Sequence, residues 1–317
     1  MSKIPVGETV AHAYGFATGQ FLKILGIVWA PLVVSAAVGL MAMPGFLGNH
    51  TPLNDLDEIR RQSMRLSPFI FVFSLFIRAM IGVGVTELAL GKRTGTTFVY
   101  FSVGAPVWRL IGAWLLFLLV IILIYIGLLI VTVAVGVVGG IGVKSLTLAT
   151  GANNTAIGLL VIACVVIFAG TLFYTMARLT FLIPPVVVDE KQVDLARGWQ
   201  LTRGSFWRIF AIGLAIFVPL ILFQIVIAGI FFGVDFLHQF ADIMRGAFHG
   251  ATEAVVQQRM NLWSGAVRAR ALQVWPYTVV IGIFLETFAY GLLYGAAAFA
   301  YRAVNPPPAT GMRSGPV

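Results

Sequence analysis

The sequence predicts an all-α integral membrane protein with six transmembrane helices. Of its 317 residues, 59% are hydrophobic and only 10% are charged, and the mean hydropathy is +0.96. A soluble domain carries about 25% charged residues, because its outer layer needs polar cover. The same composition excludes a disordered chain, since low hydrophobicity is what keeps chains unfolded. The sequence also contains six apolar runs, each long enough to cross about 30 Å of hydrocarbon.

The six apolar runs alternate with short polar segments. They lie at 21–43, 68–90, 108–141, 156–183, 209–234 and 276–301. The first is too long for the core of a cleaved signal peptide, so we expect an uncleaved span. The third would reach about 50 Å as a helix, which predicts that it tilts, kinks or projects. We expect the helix to depart from an upright crossing at its final glycines, Gly136, Gly139, Gly140 and Gly142.

The basic residues predict the orientation of the spans. Six crossings put both termini on one side, and that side holds the larger share of the 21 Lys and Arg residues. The positive-inside rule then makes both termini cytoplasmic. A net charge of +9 in a soluble protein would indicate nucleic acid, but here the basic residues occupy loops and helix ends. We therefore expect membrane lipids as partners and no nucleic acid.

The segment before the last span has its own pattern. Its apolar residues recur at helical spacing, with arginines between them: Val256, Met260, Trp263, Val267, Ala271 and Val274. This pattern predicts an amphipathic helix on the membrane surface, with a partner-binding helix as the alternative. The Pro-rich residues 305–317 are predicted to be a disordered tail of the single membrane domain 1–304.

An aromatic and a basic residue recur nine positions apart at the start of each odd-numbered span. The pairs are Tyr14 with Lys23, Tyr100 with Arg109, and Trp199 with Arg208. This predicts three hairpin repeats, at about 4–90, 91–188 and 189–304, each opened by an amphipathic elbow helix on the cytoplasmic side. The alternative is that any helix entering a membrane carries an aromatic ring and a cation at headgroup depth.

Two charges fall in the middle of spans. Arg78 lies ten residues after Pro68, and Glu286 lies ten residues after Pro276. Inserting either charge alone costs about 2.5–3.5 kcal/mol, so we expect a buried ion pair between them. The pair could simply fix which helices pack together, or it could belong to a polar cavity for a headgroup, an ion or a proton.

Catalytic and metal-binding patterns are missing from the sequence. The four histidines are isolated from one another, and no HExxH, GxSxG or Walker A motif occurs. The single Cys164 allows neither an intrachain disulfide nor a cysteine-based metal site. We therefore expect no catalytic, cofactor or metal site, and we do not expect an enzyme.

A stretch of about thirty residues carries a family resemblance. It contains Arg178-Leu179, Pro184, Asp189-Glu190, Trp199-Gln200-Leu201-Thr202-Arg203-Gly204 and Trp207-Arg208. It resembles the bacterial membrane domain associated with glycerophosphodiester phosphodiesterases. The resemblance implies a bacterial inner-membrane protein with a lipid-related or regulatory role. It marks Arg178, Pro184, Glu190, Trp199 and Gly204 as motif positions. Phosphodiesterase activity in that family belongs to a separate soluble domain, so the resemblance implies no such activity here.

Two classes of function remain open at this point. The leading expectation is a non-enzymatic scaffold or lipid-binding module that acts with a protein partner in a lipid or envelope process. The alternative is a transporter or channel for a small solute or lipid that uses Arg78 and Glu286. An integral lipid enzyme comes last, and the sequence leaves the oligomeric state open.

Overall fold

The protein is helical throughout the part that the structure describes. This structure, a computed structural model, describes residues 4–41, 56–93, 95, 98–150, 155–250 and 252–306. In those residues it has ten helices and no strand: α1 (Val6–Gly19), α2 (Phe21–Met41), α3 (Leu56–Ala89), α4 (Ala105–Thr150), α5 (Thr155–Thr180), α6 (Ile183–Glu190), α7 (Leu195–Leu201), α8 (Phe206–Phe232), α9 (Val234–Phe248) and α10 (Glu253–Val304). The predicted tail from residue 307 onward lies outside the described residues.

The six predicted spans are confirmed in number and approximate position. Within the part of the chain that the structure describes, six helical segments are long and apolar enough to cross a membrane: Phe21–Gly39, Leu66–Ala89, Ala105–Ile130, Val166–Glu190, Phe206–Phe232 and Gln273–Val304. Each overlaps one of the apolar runs in the sequence. The helical form follows because every peptide group in hydrocarbon must find its hydrogen bond inside its own segment.

The core is formed mainly by α1, α2, α3 and α10. Helix α1 buries one face against the last turns of α10, and α2 crosses both α3 and α10. Glycines allow this close approach: a Cβ built on Gly84 of α3 would lie 2.7 Å from atoms of Ile27 and Tyr100. Without hydrophobic driving force between helices in lipid, such close contacts are what hold them together.

Helix α4 passes through its glycines without a break. It is one helix of 46 residues, about 70 Å long. The structure therefore shows no break in the helix at Gly136–Gly142, and the expected tilt, kink or projection of this span stays a prediction.

The segment before the last span is the first part of α10, which runs for 52 residues through Pro276. It packs against α9, where the Trp263 ring lies 4.9 Å from the Phe236 ring and 5.2 Å from the Phe240 ring. Arg270 Nε donates to the Phe231 carbonyl at 3.1 Å. The predicted amphipathic helix is thus one arm of an α9–α10 hairpin, and its position on a membrane surface stays a prediction. Phe236 and Phe240 of α9 pack against Trp263, one of its apolar positions.

Both described ends of the chain lie on the same face, which we call the terminal face. Arg208 Nη1 at the start of α8 donates to the Ile4 carbonyl at 3.0 Å. Tyr301 Oη near the end of α10 donates to Asp189 Oδ2 at 2.9 Å, near the end of α6. An even number of crossings produces this arrangement.

Helices precede two of the three odd-numbered spans. Helix α1 precedes α2 and α7 precedes α8, but residues 98–104 before α4 are not helical. The predicted elbow helix of the middle repeat is therefore absent from these described residues. Their aromatic and β-branched side chains and Gly104 disfavour a helix.

Candidate functional site

A polar cavity lies at mid-span between α2, α3 and α10. Its volume is about 290 Å³, and its polar lining residues are Ser35, Ser74, Arg78, Thr278, Glu286 and Tyr290. Helix α3 contributes the arginine and α10 contributes the glutamate, each near the middle of its apolar segment. This is the place in the described structure where opposite charges and hydroxyl groups meet inside the bundle.

The two charges face the cavity and do not contact each other. Both side chains are exposed, and the three ion pairs within 4 Å among the described side chains do not join them. The prediction of a buried Arg78–Glu286 ion pair is corrected accordingly. Facing a polar cavity lets each charge keep hydration that a dry ion pair would lose.

The cavity is closed toward the terminal face. Tyr290 stacks on Tyr294 with ring centroids 5.9 Å apart. A Cβ on Gly82 would lie 2.7 Å from Tyr294 Oη, so this tyrosine fits directly onto the glycine. Met80 and Ile81 beside it have no exposed surface. The hydroxyl groups of Ser74 and Thr278 therefore lie on the opposite side of the charges, away from the terminal face.

A spacing signal in the sequence marks this cavity. Thr278, Gly282, Glu286 and Tyr290 follow one another at intervals of four, and all four line the cavity. Residues four apart share one face of a helix. The charged residues stand out in the sequence, whereas the hydroxyl groups of Thr278 and Tyr290 were missed, although this four-residue spacing could have identified them.

An apolar groove adjoins the cavity between α2 and α10. Its volume is about 660 Å³, and its lining includes Leu22, Leu25, Trp29 and Phe284, with Lys23 at its edge. Ile283 lines both the groove and the cavity. A polar compartment and an apolar one therefore meet at a single residue of α10.

The motif residue Arg178 is buried at the terminal face, with 4% of its surface exposed. Its guanidinium carbon lies 3.7 Å from the centroid of the Trp199 ring. Nη2 donates to the Trp199 carbonyl at 2.8 Å, and Nη1 donates to Tyr174 Oη at 2.8 Å. Nε donates to Thr202 Oγ1 at 3.4 Å. These contacts join α5 to α7.

The other motif residues shape the same joint. Pro184 lies in the first turn of α6, whose residues 183–188 are all buried. Glu190 Oε1 accepts from Arg197 Nε at 3.2 Å and from Tyr301 Oη at 3.1 Å. Gly204 has a φ of +77°, in the left-handed region that glycine adopts without strain. The motif residues therefore connect helices at the terminal face and do not line the cavity.

The three aromatic repeat positions make different contacts. Tyr14 Oη donates to the Ala215 carbonyl at 3.1 Å. Tyr100 is buried against Gly84, and this burial raises the pKa of its hydroxyl. Trp199 stacks on Arg178, as described above. Equivalent positions in the sequence thus have different roles in packing, and the repeat stays a prediction.

The basic repeat positions also differ. Lys23 borders the apolar groove, Arg109 is half-buried in α4, and Arg208 donates to the backbone of Ile4. Of these three side chains, Arg208 alone makes a hydrogen bond among the described contacts. It fixes the start of α1 to the start of α8.

Among the residues that the structure describes, no group of three or more His, Cys, Asp or Glu side chains could hold a metal ion. Comparison of the chain with protein-family models, with curated proteins and with solved structures found no match. The family resemblance therefore stays a prediction.

Proposed function

We propose that the protein is a non-enzymatic lipid-binding module of a bacterial inner membrane, which holds a lipid headgroup in the cavity of Arg78 and Glu286. The observation that carries this proposal is that two opposite charges face one mid-span cavity without contacting each other. A charge at this depth costs about 2.5–3.5 kcal/mol on insertion scales. Polar groups of a ligand would offset that cost.

The terminal face supports the orientation in this proposal. Lys92, Arg197, Arg208 and Arg302 all make their contacts there. Under the positive-inside rule this face is cytoplasmic, and with it both termini. The resemblance of the Arg178–Arg208 stretch to a bacterial family supports the inner membrane and a lipid-related role.

A transporter is the second candidate, because carriers place their site near the bilayer midplane. The same cavity reaches both charges at that depth. Transport would require the contact between Tyr294 and Gly82 to open, since it closes the cavity toward the terminal face. A binding module needs no such opening.

Mass spectrometry of the protein extracted in native lipid discs tests the proposal. Wild type and Glu286→Gln are compared with Glu253→Gln, a matched control at the exposed start of the same helix. We expect one lipid to be enriched with wild type and the control and lost with Glu286→Gln. Bulk lipid in equal proportions in all three samples would overturn the proposal. A water-soluble solute lost with Glu286→Gln would favour the transporter.

A further inference from the structure

We infer that the lipid is a zwitterionic phospholipid with a primary ammonium group, of the phosphoethanolamine class. Its phosphate contacts Arg78, its ammonium contacts Glu286, and one acyl chain lies in the groove between α2 and α10. This inference rests on the proposed lipid-binding function and adds the class of headgroup and the place of the chain.

The charges determine the headgroup. An anionic headgroup at Arg78 would be repelled by Glu286, and a cationic one at Glu286 would be repelled by Arg78, so a zwitterion satisfies both. A guanidinium group binds phosphate through two parallel hydrogen bonds. A carboxylate accepts hydrogen bonds from a primary ammonium, whereas a quaternary ammonium has none to donate and favours an aromatic cage. Tyr290 is the one aromatic residue in the described lining of the cavity.

The volumes determine where the chain lies. The cavity of about 290 Å³ is at the lower end for a small-molecule site and takes a headgroup but not its chains. The groove of about 660 Å³ meets it at Ile283 and is lined almost entirely by apolar side chains. Two further apolar pockets, each of about 590 Å³, share no lining residue with the cavity. The groove is therefore the compartment that one lipid could occupy together with the cavity.

Native mass spectrometry of the purified full chain tests the headgroup. The protein is titrated with dioleoyl phosphatidylethanolamine and with dioleoyl phosphatidylglycerol, which share their acyl chains and differ in charge. We expect wild type to prefer the ethanolamine lipid by about tenfold, which is the effect of about 1.4 kcal/mol. Glu286→Gln should reverse the preference, because Arg78 then faces the anionic lipid alone. Arg78→Gln should weaken the binding of both lipids.

Two exposed positions supply matched controls. Glu253→Gln and Arg259→Gln carry the same substitutions on α10, outside the cavity, and should leave both affinities unchanged. If wild type binds the two lipids with equal affinity and Arg78→Gln binds neither, the zwitterionic headgroup is overturned. The proposed lipid-binding function would still stand. Unchanged affinities in every variant would overturn both the headgroup class and the proposed function.

A second test leaves the charges unchanged and fills the groove. Val280→Trp, at a residue that lines the groove but not the cavity, should weaken binding of the ethanolamine lipid about tenfold and leave binding of free O-phosphoethanolamine unaffected. Free O-phosphoethanolamine that binds wild type as tightly as the lipid would show a soluble zwitterion as the ligand and overturn the place of the chain. If Lys23→Gln no longer binds the ethanolamine lipid while Glu286→Gln binds it in full, the phosphate lies at the edge of the groove. That result would overturn the headgroup assignment.

Discussion

Helices α3 and α4 are neighbours in the sequence and in space, and both are apolar enough to span a membrane, but they pack very differently. In an 18-residue apolar window of each span, half of the residues of α3 are buried within the protein, against 6% of those of α4. Helix α3 carries Gly82 and Gly84 at its contacts, where Tyr294, Ile27 and Tyr100 approach its backbone. In α4 a Cβ on Gly112 or Gly127 would meet nothing within 4 Å.

The difference teaches that hydropathy alone does not place a helix in the core of a membrane protein. Lipid tails are as apolar as leucine, so burial follows from small residues that permit close packing and from polar groups that find partners. Helix α3 has such small residues, Gly82 and Gly84, at its contacts. Helix α4 presents large aliphatic side chains such as Leu119, Leu123 and Ile130, which are exposed to the surroundings.

The largest expected effect comes from filling the contact on α3. Gly84→Leu should destabilise the fold by about 3 kcal/mol, because its Cβ alone would overlap Ile27 and Tyr100 and the core must shift. The matched control is Gly127→Leu on α4, which should change stability by less than about 0.5 kcal/mol. Thermal unfolding in detergent measures both. Equal losses in the two variants would contradict the difference between the helices.

The second prediction concerns how α5, the partner of α4 in its hairpin, is held to the bundle. Arg178→Met should cost about 3 kcal/mol, because it removes three hydrogen bonds and the stacking on Trp199. Arg109→Met on α4 is the control and should cost much less. Protease accessibility of the α7 segment provides an independent readout. Intact protection in Arg178→Met would show that this joint is held by other contacts.

The third prediction separates a cavity from an ion pair on α3 and α10. Because no direct contact joins Arg78 to Glu286, a double-mutant cycle of Arg78→Gln and Glu286→Gln should give a coupling energy below about 1 kcal/mol. Unfolding in the absence of added lipid measures it. A coupling energy above about 2 kcal/mol would indicate a direct ion pair and contradict two charges that face a cavity without contact.

The smallest effect is expected from an exposed ion pair at the terminal face, between Lys92 and Asp189. Lys92 Nζ lies 2.7 Å from Asp189 Oδ1, but the two side chains are 38% and 37% exposed. Exposed pairs contribute about 0.2–1 kcal/mol, so Lys92→Gln should lower stability by about 0.5 kcal/mol. In about 1 M salt, where the Debye length is about 3 Å, the difference from wild type should vanish. A loss that persists in salt would indicate a buried role for Lys92.

The residues of the site divide into those that the sequence identified and those that it missed. Arg78 and Glu286 stand out because a charge inside an apolar run is rare, and both line the cavity. Ser35 and Ser74 are ordinary in a membrane helix, and only their position between α2 and α3 gives them a role. The middle elbow helix was wrong because residues 98–104 disfavour a helix, whereas the ion pair was wrong because it depended on how separate segments meet.

The number and approximate limits of the spans follow from the order of the amino acids. Crossing hydrocarbon requires about twenty apolar residues in a row and internal hydrogen bonding, and both are properties of a single segment. Three-dimensional packing determines which spans are buried, where the cavity opens and how Arg178 is satisfied. Apart from the polar positions of α3 and α10 that line the cavity, the spans are apolar on every side, so hydropathy within one of them does not distinguish a surface that meets lipid from a surface that meets another helix.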